Sequence, residues 1–145
     1  MSRGLPSVLV AVGYGALVIA AWGIASLVLD QDVMHYSDAG PLLGPAMALG
    51  AMLVTFGWVV RVRKIGGVVL CAVGATASTW LVMIAVGAVG YTITRGVVAW
   101  LLLFAGDYAA SAFVLAPAIL AGLVVLATGA RSPRAKPFAA PPSED

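Results

Sequence analysis

Four long apolar runs, separated by short polar stretches, set the architecture of this chain. They cover residues 7–29, 39–60, 67–91 and 97–128. About 20 apolar residues are enough for a helix to cross the ~30 Å hydrocarbon core of a bilayer. In that medium a backbone needs internal hydrogen bonds, so each run must be helical. A transmembrane barrel would alternate apolar and polar positions, whereas these runs are apolar without interruption. The expected fold is all-α: a polytopic integral membrane protein, a bundle of four transmembrane helices over residues 1–130. Residues 131–145 carry Pro133, Pro137, Pro141 and Pro142 and show no periodicity. That segment has little to bury and is expected to be a disordered cytoplasmic tail.

Composition supports the same picture. Hydrophobic residues make up 62% of the chain and charged residues 10%, against about 25% charged in soluble domains. The partner for most of the surface is therefore the lipid bilayer. Net charge is only +2, with no basic patch to hold nucleic acid. Arg3, the group Arg61, Arg63 and Lys64, and the group Arg131, Arg134 and Lys136 fall on one side of the expected topology. Arg95 alone falls on the other. Positive loops stay in the cytoplasm, so both chain ends are expected there. Arg outnumbers Lys six to two, which leans toward a bacterial inner membrane. Trp58, Tyr91 and Trp100 sit near span ends, as an aromatic belt requires. The first run, about 23 residues, exceeds the 7–15 of a signal-peptide core, and is expected to be retained.

Helices in lipid associate by close backbone approach through small residues. In span three, Gly67, Cys71, Gly74, Ser78 and Ala85 share one face. In span four, Asp107, Ala110, Ser111, Ala118 and Gly122 do the same. These two faces are expected to meet in a tight hairpin. Leu101, Tyr108, Leu115, Ile119 and Leu126 are then left for lipid. Pro117, inside span four, should bend it and free a backbone carbonyl.

Asp107 is the one charged residue within an apolar run. Acids at membrane depth mark candidate functional sites. If span four begins at Val97, Asp107 lies about 15 Å in, near the midplane. Ser78 then stands at similar depth and is its expected partner. The rival reading starts from length. Residues 97–128 make about 48 Å of helix, too long for the core. A span counted back from Thr128 starts near Tyr108, with Asp107 as an N-cap and residues 97–104 lying along the surface. Both readings stand on the sequence.

Other chemistry finds little support. The polar segment 30–38 holds Asp30, Asp32, Asp38 and His35, yet lacks the glycine and closing Glu of a calcium loop and any zinc spacing. No metal, cofactor or catalytic residue is expected. Cys71, the single cysteine, excludes internal thiol–disulfide chemistry. The expected role is a non-enzymatic subunit or accessory protein of a membrane complex, with a protein partner or further copies of itself. The alternative is a small oligomeric transporter or channel that uses Asp107.

Overall fold

The computed structural model describes residues 5–30, 42–65 and 67–131. The outer-segment residues Asp32, His35 and Asp38, and the tail beyond Arg131, lie outside that range. Among the described residues five helices follow in order: α1 Leu5–Leu29, α2 Leu43–Ile65, α3 Val68–Arg95, α4 Ala99–Ala109 and α5 Ala112–Ala130. All but α4 are long and apolar enough to cross a membrane. The protein is an all-α, polytopic membrane bundle, as its apolar pattern requires.

Boundaries move where polar residues extend a helix. Arg61, Arg63 and Lys64 are not a loop; they belong to the last turns of α2. Likewise α3 continues through Thr92 to Arg95 and stops at Gly96. Gly96 sits at φ 67°, a left-handed conformation natural to glycine, and its N–H bonds the Thr92 carbonyl at 2.8 Å. Pro45 lies in the first turn of α2, where a missing N–H costs nothing.

The element at the centre is α3, which touches α2, α4 and α5. Leu43, Met47 and Trp58 of α2 reach Gly90, Gly87 and Gly74 of α3 in turn, so the pair is antiparallel. On another side of α3, Phe104 packs on Gly87 and Gly122 meets Thr76 and the Ala72 carbonyl. Gly129 meets Val68. Thus α4 and α5 together run antiparallel along the whole of α3. The first helix lies across α2 and α5, with Gly15 under Met52.

Two expected faces are corrected by this arrangement. Gly74 and Ser78 do not meet span four: the Trp58 indole fills the space over Gly74 and donates to Ser78, so that face belongs to α2. Tyr108 is not a lipid-facing residue. It is buried and stacks on Phe104, with ring centroids 4.3 Å apart and planes 3° apart. Tyr91, expected in an interfacial belt, is also fully buried. It holds Phe104 at 5.6 Å and Trp100 edge-on at 5.6 Å. The Arg95 guanidinium lies over Tyr91 and Trp100, and closes this aromatic cluster at one end of the bundle. Cation–π contacts of this kind work best where water is excluded.

The outward faces are apolar. Leu9, Ile19 and Leu27 on α1, Leu53 on α2, Leu70 on α3 and Leu102 on α4 are all more than half exposed. Surfaces of this extent are unsustainable in water and natural against lipid tails.

Candidate functional site

The long fourth run solves its length problem by a break. Helix α4 ends at Ala109. Ser111 adopts an extended backbone (φ −67°, ψ 138°) and α5 restarts at Ala112. The Ser111 hydroxyl accepts from Phe113 N at 3.3 Å, so Ser111 is the N-cap. Asp107 is therefore no cap: it stands within α4, two residues before that helix ends. Nor does the segment before it leave the bundle to lie on a surface, since α4 packs along α3.

Asp107 is exposed on the flank of α4. Phe104 lies at the level of Gly87 and Ala109 at the level of Trp80. Asp107 falls between those levels, about 15 Å inward of Arg95 along α3. Ser78 is turned toward α2. It accepts from Trp58 Nε1 at 2.8 Å, and its own hydroxyl faces the Gly74 carbonyl at 2.6 Å. The two candidate residues thus occupy different sides of α3.

A break among apolar helices leaves carbonyls that neither lipid nor apolar side chains can satisfy. In a continuous helix the Ala109 carbonyl would accept from Phe113 N, which here bonds Ser111. The Phe113 carbonyl would accept from residue 117, which is proline and has no N–H. Aromatic side chains take both places. Trp80 Nε1 donates to the Ala109 carbonyl at 2.8 Å, and Trp22 Nε1 donates to the Phe113 carbonyl at 2.7 Å. One turn on, the Tyr14 hydroxyl donates to the Pro117 carbonyl at 2.9 Å. The acceptors, residues 109, 113 and 117, recur every four positions and so share one side of the broken span.

This ladder escapes the sequence reading, although half of it is legible there. Pro117 announces a freed carbonyl. The donors are the missing half, and the signal that finds them is position. Trp22 and Trp80 fall well inside their spans, away from the interfaces, and a buried indole N–H needs an acceptor.

A second polar level lies beside the ladder. In the antiparallel register of α2 and α3, Thr55 and Thr79 stand opposite one another, and both are fully buried. Tyr14 lies beside Thr55 and donates to Pro117, whereas Thr79 Oγ1 has no hydrogen-bond partner. A buried hydroxyl without a partner costs about 1–3 kcal/mol. Thr79→Val is therefore expected to stabilise the bundle by about 1 kcal/mol. Reversible unfolding in mixed micelles measures this; a loss of stability in the variant would show that the hydroxyl is satisfied.

The side chains converging on the bundle centre are neutral hydroxyls and indoles, and three of them hold backbone carbonyls. Among the described residues there is no cluster of three or more His, Cys, Asp or Glu side chains able to hold a metal. Cys71 is buried in the α2/α3/α5 packing. No curated protein and no solved structure matches the chain. A family model does match, over residues 5–144, a stretch that takes in every helix and the broken fourth span, and the chain belongs to that family, the family of unknown function DUF6121.

Proposed function

We propose that this protein is a non-enzymatic subunit or accessory protein of a membrane complex. The observation that carries this reading is the use of its interior polar side chains. Tyr14, Trp22, Trp58 and Trp80 each bond a backbone carbonyl or a neighbouring serine. Tyr14, Trp22 and Trp80 hold one conformation of the interrupted span, and Trp58 ties α2 to α3; both are structural tasks. The outer surface is then where the protein does its work. We infer that both chain ends lie on the cytoplasmic side of a bacterial plasma membrane. In support, Arg61, Arg63, Lys64 and Arg131 gather at one end of the bundle and Arg95 stands at the other.

The test is the native mass of the tagged protein, extracted gently from its own membrane. A stoichiometric second protein is the expected result. A homo-oligomer alone would overturn the subunit reading. It would favour instead a small oligomeric transporter or channel, a reading that rests on the exposed place of Asp107 on α4. Four helices enclose too little volume for a path, so copies would have to line it together. In that case Asp107→Asn should abolish ion flux in liposomes while the oligomer still forms; a subunit protein should show no flux with either residue.

A further inference from the structure

A groove of about 610 Å³ opens on the outer face of α2, beside α3. Its mouth is cationic and its floor apolar. Arg61 and Lys64, both exposed, line the end nearest the close of α2. The Arg61 guanidinium rests over the Trp58 ring, 5.6 Å from its centroid, and Trp58 is itself fixed by its bond to Ser78. Below them the floor is formed by Gly57, Val54 and Leu53. Leu53, Gly57, Arg61 and Lys64 follow one another at helical spacing, so the groove runs along the helix for about 12 Å from Leu53 to Arg61. Gly57 has open space where a side chain would project, which gives the floor its depth. No acidic residue lines it.

We propose that this groove binds an anionic phospholipid. The phosphate sits between Arg61 and Lys64, and an acyl chain lies over Gly57 against Val54 and Leu53. Three features select this occupant. The groove opens sideways on a helix face that otherwise meets lipid, so its natural occupant arrives from within the bilayer. Two cations with no acid among the lining residues complement an anionic headgroup, and a zwitterionic one less well. Trp58 holds the Arg61 guanidinium by its face, leaving its N–H edge to donate to a phosphate in the paired geometry that guanidinium favours. This inference is independent of the proposed role as a subunit, and holds for a monomer or an assembly.

The experiment uses the full chain in vesicles of equal phosphatidylglycerol and phosphatidylcholine, followed by native mass spectrometry of the retained lipid. Wild type is expected to carry one phosphatidylglycerol in preference to phosphatidylcholine. Arg61→Gln/Lys64→Gln should lose that preference by roughly tenfold or more. Arg63→Gln removes the same kind of charge from the same helix end but lies outside the groove, and should retain the lipid. Gly57→Leu fills the floor and leaves both cations in place; a Cβ there has no neighbouring atom within 4 Å, so the variant should fold and release the lipid. Equal retention of both lipids by wild type would overturn the proposal. So would a Gly57→Leu protein that keeps the phosphatidylglycerol, or an Arg63→Gln protein that loses it as fully as the double variant.

Discussion

Gly122→Leu is expected to destabilise the bundle by at least ~3 kcal/mol, or to prevent its assembly. Gly122 is buried on α5 at its contact with α3. A Cβ there would collide with Thr76 Oγ1 and stand 3.3 Å from the Ala72 carbonyl oxygen. Neither neighbour yields easily. Thr76 is β-branched and its hydroxyl is tied to the Ala72 carbonyl at 3.1 Å, and Ala72 O is backbone. In lipid the helices gain from close approach and not from leaving water, so separating them loses the main attraction between them. Gly13→Leu on α1 is the matching control. Gly13 is exposed with nothing within 4 Å, and leucine is the better helix former by a few tenths of a kcal/mol. Unfolding in mixed micelles, followed by circular dichroism, separates the two. Equal midpoints for both variants would mean that α3 and α5 do not pack as described.

The contrast also shows what the chain reveals on its own. Four spans are readable because hydrocarbon permits only helices, and an apolar run of sufficient length leaves no other choice. The pairing of faces is not readable. Small residues occur on several sides of α3, and spacing alone puts Gly74 and Ser78 on a face with Cys71. What decides is the partner: Trp58 needs a flat place to lie and finds it over Gly74, which assigns that side to α2. Thr76, next to that face, takes Gly122 instead. Asp107 presents the same problem in sharper form. Excess length and the acid together suggest either a buried carboxylate or a helix start, and the chain contains a third solution. The helix does restart, but four residues later, at Ser111, because a serine hydroxyl caps as well as a carboxylate. Tyr91 and Tyr108 mislead for a related reason. Tyr91 near a span end reads as interfacial and Tyr108 by its spacing as lipid-facing, yet α4 folds against α3 and encloses both rings.

Trp22→Phe is expected to cost about 1–2 kcal/mol in the native protein and clearly less in a Pro117→Ala background. Phenylalanine keeps the ring and removes the N–H, so the Phe113 carbonyl loses the donor now at 2.7 Å. In the native chain no helical N–H replaces it, because residue 117 is proline. With alanine at 117 an amide becomes available to the same carbonyl, and the indole is no longer its sole relief. The two changes should therefore couple, by roughly 0.5–1.5 kcal/mol. The loss of indole packing appears in both backgrounds and cancels in the cycle. Tyr14→Phe provides an internal comparison. Its acceptor is the carbonyl of residue 117, which alanine also carries, so its cost should be the same in either background. Equal costs for Trp22→Phe in both backgrounds would refute the idea that the first helix serves the broken span. The expected coupling would instead make α1 a brace, since Trp22 completes the backbone bonding of α5 at Phe113 and Tyr14 adds a second bond at Pro117. Displacing α1 would then leave the Phe113 carbonyl unmet among apolar groups, at a cost of several kcal/mol. That cost ties the least buried of the four long helices to the rest of the bundle more firmly than its packing alone would.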